Sequence, residues 1–124
     1  MDQKHFKKLT KEFARDSIKF AEGLPSTRTG NYFAGQLVRC SGSVGANYRA
    51  ACRAKSGRDL KAKLGIVLEE ADESQFWFEM CVECGVSTAD EIRVLHFNAN
   101  QIVAMCVASI QTLNGKKLRT DESP

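Results

Sequence analysis

Two cysteines separated by two residues are the first feature of this 124-residue chain that suggests chemistry. Cys81 and Cys84 form a Cys-x-x-Cys motif, which is half of a zinc site or a redox-active dithiol. A zinc site needs four ligands, so a second pair would have to come from another chain. The motif also falls near the predicted end of a helix, where the helix dipole disfavours a thiolate. We therefore treat both cysteines as weak metal candidates and predict no metal and no cofactor.

Carboxylates and histidines are the other groups that carry catalysis. Glu69 and Glu73 are one helical turn apart and share a face, but such a face is far more often solvated or paired with arginine. His5 and His96 lack the Glu-x-x-His spacing of di-iron bundles, and the chain has no Walker-type phosphate loop. These patterns predict that the protein is not an enzyme.

Charge is segregated along the chain, although the formal net charge is only +3. Residues 26–63 hold eight basic residues and one acidic residue, a net charge of +7, whereas residues 64–124 hold four basic and ten acidic residues, a net charge of −6. Clustered cations neutralise phosphates and release counterions, which predicts nucleic-acid binding. The candidate contacts are Arg39, Arg49, Arg53, Lys55, Arg58, Lys61 and Lys63.

The same segregation also fits charge pairing within the protein. An acidic third helix would then neutralise a basic second helix, either in the same chain or in a neighbouring copy. The charge pattern favours neither interpretation over the other.

Apolar residues recur at spacings of three and four along four segments, which predicts four helices. Pro25 separates the first two, and Gly115 is expected to end the fourth. Long helices joined by short connections predict an all-α, antiparallel up-down-up-down four-helix bundle. The helices are expected over roughly residues 2–22, 29–54, 57–83 and 89–114, in a single domain at residues 1–119 that is followed by a tail at 120–124.

Helix starts are marked by capping residues. Ser56 with Asp59 approximates a capping box for the third helix, and Thr88 with Glu91 does so for the fourth. In the second helix, Gly42 and Gly45 predict either close packing of a neighbouring helix or a kink where serine hydroxyls bond to backbone carbonyls. Asn47 lies beside the apolar seam and is expected to set helix register, in preference to lining a ligand groove.

The third and fourth helices have broader apolar stripes than one intramolecular seam requires. Ile66 and Trp77 widen the stripe of the third helix, and Val94 and Phe97 widen that of the fourth. This pattern favours self-association over a single wide core. No segment approaches the roughly 18 apolar residues of a membrane span, and the N-terminus lacks the pattern of a signal peptide, so we expect a cytoplasmic protein without a membrane partner.

The middle of the chain resembles a known family. The segments that carry the resemblance are SVGANYRAA at 43–51, SGRD at 56–59 and KLGIVLEEADESQFW at 63–77. Together they are similar to the four-helix bundle proteins encoded in 23S rRNA intervening sequences. Arg39, Ser43, Asn47, Ser56 and Asp59 match residues that recur in that family, and the resemblance implies structural roles for them.

The resemblance also implies an assembly. It indicates a ring of antiparallel bundles, commonly a homopentamer, with a distant likeness to the accessory variability proteins of diversity-generating retroelements. Those basic pentamers associate with nucleic acid and a reverse transcriptase. The expected partners are therefore further copies of the chain and RNA or a nucleic-acid-associated protein. The sequence departs from the family pattern at Gly45, where proline is frequent, and at residues 48–51.

Overall fold

The computed structural model describes residues 2–88 and 90–122, with side chains described up to residue 115. The described residues form four helices and no strand, which confirms the all-α prediction. Each helix packs against its neighbour in the chain, and α1 also meets α4, as in a four-helix bundle. The helices are α1 (Gln3–Glu22), α2 (Arg28–Ala51), α3 (Gly57–Glu83) and α4 (Glu91–Glu122).

Side-chain caps begin the first three helices. The Asp2 carboxylate accepts from the His5 N–H, and the Thr27 hydroxyl accepts from the Gly30 N–H. The Ser56 hydroxyl accepts from the Asp59 N–H over 3.1 Å, which confirms the predicted start of α3. Each cap satisfies a donor that has no partner inside its own helix. The predicted cap of α4 includes residue 89, which lies outside the described residues.

Two glycines lie at or next to the connections between helices, where a side chain would be unfavourable. Gly30 lies so close to Pro25 that a Cβ atom there would be 2.0 Å from the Pro25 carbonyl oxygen. Gly85 has a φ of +67°, the left-handed conformation that glycine adopts at little cost. The Gly85 N–H donates to the Val82 carbonyl and the Val86 N–H donates to the Cys81 carbonyl, which is a Schellman ending for α3.

Two predicted helix ends are wrong. α2 ends at Ala51, three residues early, because the Arg53 and Ala54 N–H groups donate to carbonyls only three residues back and tighten the chain into a turn. α4 passes the expected stop at Gly115 and continues to Glu122. An internal glycine costs a helix about 1 kcal/mol, and the residues after Gly115 include good helix formers.

The core contains one cluster of apolar side chains from all four helices. Its largest fully buried members are Phe13, Leu37, Phe78 and Ile102. Phe78 contacts Phe13 edge-to-face at a ring-centroid distance of 6.4 Å, so the aromatic centre joins α1 to α3. Burial of this cluster is the main term that holds the bundle together.

The small residues of α2 have different structural roles. A Cβ atom on Gly45 would lie 3.2 Å from the Ala14 Cβ, so Gly45 permits the close approach of α1 that we predicted. A Cβ atom on Gly42 would meet nothing within 4 Å, so packing inside the chain does not require glycine there. The Asn47 amide donates to the carbonyl and the hydroxyl of Ser43, both 2.9 Å away. Both hydrogen bonds stay within α2. They therefore give no support to the expected role of Asn47 in setting the register between helices.

The length and composition of the helices show whether any of them could span a membrane. Within the described residues, no helix combines the length and the apolar character that crossing a bilayer requires.

Candidate nucleic-acid interface

The turn between α2 and α3 carries most of the basic residues that the sequence singled out. Five of them are exposed around this turn, and we call this set the basic turn surface: Arg49, Arg53, Lys55, Arg58 and Lys61. The connection is only a few residues long, so the end of α2 and the start of α3 present these cations together. This grouping places several positive charges within reach of one phosphate backbone.

Arg39 lies elsewhere and has partners. Its Nη1 donates to the Glu70 Oε2 over 3.2 Å, and its Nη2 contacts the Glu73 carboxylate. The Glu73 carboxylate also accepts from the Trp77 indole N–H over 3.0 Å. Two carboxylates therefore neutralise this arginine, which separates it from the basic turn surface.

Lys63 is also paired. Its ammonium group donates to the Asp59 carboxylate over 2.9 Å, one helical turn away on α3. The Asp59 carboxylate also accepts from the Lys55 N–H over 3.2 Å. The hydrogen bond from Lys63, followed by the one from Lys55, holds the pKa of Asp59 below its usual range. Asp59 and Ser56 thus organise the start of α3, the structural role that the resemblance implied.

The remaining cations differ from Arg39 and Lys63 in one respect. Within residues 2–88 and 90–115, no carboxylate lies within ion-pair distance of any member of the basic turn surface. Their charge is directed to solvent, where an external anion can reach it. The structure therefore divides the seven predicted contacts into five cations without an ion-pair partner among the described residues and two, Arg39 and Lys63, that have one.

A cavity of about 640 Å³ adjoins the basic turn surface. Its wall includes Gln3 from α1, Lys55 and Leu60 from the turn region, and Thr112 from α4. The Gln3 amide donates to the Cys52 carbonyl over 3.4 Å. The start of α1 and the later part of α4 therefore border the same end of the bundle as the α2–α3 turn.

One set of candidate residues was missed by the sequence analysis. Four exposed lysines lie near the start of α1, and we call this set the α1 lysine row: Lys4, Lys7, Lys8 and Lys11. Their spacing of three and four places them on adjacent turns of one helix side. The first 25 residues also contain four acidic residues, so their net charge does not reveal the lysine row. The helical spacing of the lysines would have identified it.

The comparison with known protein families identifies the chain. The family model for the 23S rRNA-intervening sequence protein matches residues 3–108. The chain belongs to this family. The matched range contains the basic turn surface and the α1 lysine row, and it confirms the resemblance seen in the sequence.

A solved structure gives an independent comparison for this 23S rRNA-intervening sequence protein. It is described as a protein with unknown function from the S23 ribosomal protein family of Bacteroides thetaiotaomicron VPI-5482. The two chains share 26% sequence identity and a TM-score of 0.81, over 90% of this chain and 99% of the other. Among curated proteins, none matches the chain.

The cysteines of this family member lie in different environments. Cys81 is buried and Cys84 is exposed, so the two thiols do not share one accessible surface. Burial, with a smaller contribution from Cys84, raises the pKa of Cys81 to about 11. Burial likewise raises the pKa of Cys106 to about 12. In the described part of the chain, no cluster of three or more histidine, cysteine or acidic side chains is arranged to hold a metal ion.

The candidate acid–base residues are also placed by the structure. Glu73 pairs with Arg39, as described above, whereas Glu69 is exposed. His96 Nε2 lies 2.8 Å from the Glu79 Oε2, so these side chains connect α4 to α3. Together with Glu83, Thr88 and Asp90, these two side chains line a second cavity of about 440 Å³.

Proposed function

We propose that this protein is a non-enzymatic, self-associating helical bundle that binds RNA, or a ribonucleoprotein, through the basic turn surface. The observation that carries the proposal is the group of five exposed cations without an ion-pair partner in the described chain. Such cations exchange their counterions for phosphates, which favours binding entropically and without base recognition.

An antiparallel order of helices supports the position of this surface. Gln3, at the start of α1, contacts Cys52 just beyond the end of α2. Further along, Phe33 near the start of α2 contacts Trp77 near the end of α3, with ring centroids 5.4 Å apart. Alternating helix directions would bring the α2–α3 turn beside the first residues of α1.

The outer side of α4 supports self-association. Residues 94–115 contain no lysine, arginine, aspartate or glutamate. Val94 and Phe97 are 59% and 57% exposed, and Val107 is also exposed. An uncharged helix with exposed apolar side chains loses unfavourable hydration when a second copy covers it. We propose a ring of five copies, the assembly that the family resemblance implies.

The non-enzymatic part of the proposal is supported by the thiols and carboxylates. A reactive cysteine is accessible and has a lowered pKa, whereas Cys81 is buried and its pKa is raised. The candidate carboxylate Glu73 is occupied by Arg39 and by the Trp77 indole N–H. Both features are typical of structural residues.

Salt-dependent RNA binding tests the proposed site. Fluorescence anisotropy with a labelled RNA should give an affinity that falls as salt rises. Replacing Arg49 and Arg53 by glutamine should make the slope of log affinity against log salt shallower by about 2, roughly one unit for each lost phosphate contact. The matched control replaces Lys19 and Arg28 by glutamine. These two exposed cations lie near the connection between α1 and α2, away from the α2–α3 turn. No binding at low salt would refute the proposal.

Self-association is tested separately. We expect light scattering to report an oligomer at micromolar concentration and the Phe97→Glu variant to dissociate it, because a buried carboxylate without a partner is costly. Val38→Glu is the control, since Val38 is 36% exposed but lies on α2, outside the broad apolar stripes of α3 and α4. A monomeric wild-type protein would refute this part of the proposal alone.

A purely structural role is the alternative, and one observation favours it. Arg39 of α2 pairs with Glu70 and Glu73 of α3, so part of the opposite charge on these helices is neutralised inside the chain. If the protein assembles without binding RNA, and high salt weakens the assembly, then charge pairing between copies explains the basic residues of 26–63 better than RNA binding does.

A further inference from the structure

We propose that the α1 lysine row extends the basic turn surface and that the combined surface binds the phosphate backbones of a nucleic-acid duplex. This inference rests on the proposed RNA-binding function and names the class of nucleic acid. It follows from the contact between α1 and α2, from the exposure of the lysines and from the lack of exposed phenylalanine, tyrosine and tryptophan side chains near them in the described chain.

Two contacts place the lysine row beside the end of α2. Gln3 donates to the Cys52 carbonyl, and Gly45 packs against Ala14 and the backbone of Lys11. The lysines lie between these two levels on α1, just as Arg49 lies between them on α2. Packed helix axes are about 8–10 Å apart, so the two sets of cations form neighbouring rows on one side of the bundle.

The dimensions of the two rows suit a phosphate backbone. Lys4 and Lys11 are seven residues apart, which is about 10 Å along a helix. No carboxylate lies within ion-pair distance of any lysine of the row in the described part of the chain. Charge therefore continues from the α2–α3 turn onto α1, in a surface wide enough to contact more than one phosphate.

Aromatic side chains distinguish duplex from single-strand binding. Proteins that hold single strands stack the bases on exposed aromatic rings beside a basic groove. Tyr32, which is 57% exposed, precedes Arg49 by 17 residues of α2, or about 25 Å along the helix. Near the basic residues, Tyr48 is buried and Phe6 is largely covered. In the described chain, the one exposed ring among these cations is that of His5, which packs edge-to-face on Phe6 with ring centroids 4.9 Å apart. The surface thus offers many cations and a single ring, which matches recognition of a duplex by its backbone.

The test compares an RNA duplex of about 16 base pairs, the span of a typical duplex-binding domain, with one of its single strands. Replacing Lys7 and Lys8 by glutamine should make the salt slope for the duplex shallower by about 2. A second pair, Lys4→Gln with Lys11→Gln, should do the same, while the Lys19→Gln, Arg28→Gln control keeps the wild-type slope. Circular dichroism confirms that each variant is folded.

The outcomes separate this inference from the proposed function. If Arg49→Gln with Arg53→Gln reduces the slope but neither lysine pair does, the lysine row is excluded and the proposed RNA site stands. Equal or tighter binding of the single strand overturns the choice of a duplex. If the wild-type protein binds neither RNA at low salt, the proposed function and this inference both fail.

Discussion

Arg39 on α2 and Glu70 on α3 form an ion pair that distinguishes Arg39 from the cations of the basic turn surface. The Arg39 Nη1 lies 3.2 Å from the Glu70 Oε2, and Glu73 binds the same guanidinium group. Arg49, ten residues further along α2, is exposed and has no ion-pair partner among the described side chains. Two arginines that look equivalent in the sequence therefore differ: Arg39 joins α2 to α3, whereas Arg49 is available to an external anion.

Exchanging these arginines should separate stability from binding. We expect Arg39→Gln to lower the free energy of unfolding by about 1 kcal/mol, because loss of the half-exposed guanidinium removes the ion-pair partner of Glu70 and leaves Glu73 only the Trp77 indole N–H. Arg49→Gln should change stability by less than about 0.5 kcal/mol but weaken RNA binding. Urea denaturation and fluorescence anisotropy measure the two effects. A strong loss of RNA binding in Arg39→Gln alone would contradict this division.

Two glycines of α2 should respond oppositely to alanine. A methyl group on Gly30 would meet the Pro25 carbonyl oxygen at 2.0 Å, so Gly30→Ala should destabilise the protein by about 1–3 kcal/mol. A methyl group on Gly35 would meet nothing within 4 Å, so Gly35→Ala should stabilise it by up to about 1 kcal/mol. Denaturant midpoints of both variants test the pair, and a shift in the same direction would refute the assignment.

Ser17 should be replaceable with a gain in stability. Its side chain is fully buried, and its hydroxyl oxygen has no hydrogen-bond partner among the described atoms. Removing an unsatisfied buried hydroxyl should raise the free energy of unfolding by about 1 kcal/mol in Ser17→Ala. Ser41 is the control, because it is equally buried but donates to the Leu37 carbonyl. A larger gain for Ser41→Ala than for Ser17→Ala would contradict this explanation.

Alkaline pH should destabilise the fold through its buried thiols. Burial raises the pKa of Cys106 from 9.0 to about 12, so above about pH 9 the unfolded chain loses this proton first. The contribution of this thiol to the free energy of unfolding is then constant below pH 9, and the free energy of unfolding falls as pH rises from 9 towards 12. Each such group contributes at most about 1.4 kcal/mol for each pH unit.

Denaturation at several pH values measures this effect. Cys106→Ala should show a shallower fall of stability between pH 9 and 11 than the wild type, whatever its stability at neutral pH. Val103→Ala, a partly buried neighbour with no titrating group, should keep the wild-type pH dependence. Equal slopes in all three proteins would show that the Cys106 thiol does not govern the alkaline loss.

The local features of the fold could be predicted because they depend on short-range chemistry. Apolar spacing indicated four helices, and Ser56 with Asp59 marked the start of α3. The end of α4 could not be predicted in this way, since Gly115 only weakly opposes a helix and the chain continues through it. The end of α2 was likewise misplaced because hydrogen bonds three residues back form a turn that apolar spacing does not encode.

By itself, the sequence determined the helical class, the family and the segregation of charge, because these are properties of residue types and their spacing. Only the tertiary structure decided which charges are available. It brought Glu70 to Arg39 across 31 residues of chain, and it left the basic turn surface exposed. The pair of Lys63 with Asp59, by contrast, needs only one turn of α3. It also placed the start of α1 beside the end of α2 through Gln3 and Gly45. An ion pair between two helices depends on their distance in space, and only helix packing sets that distance.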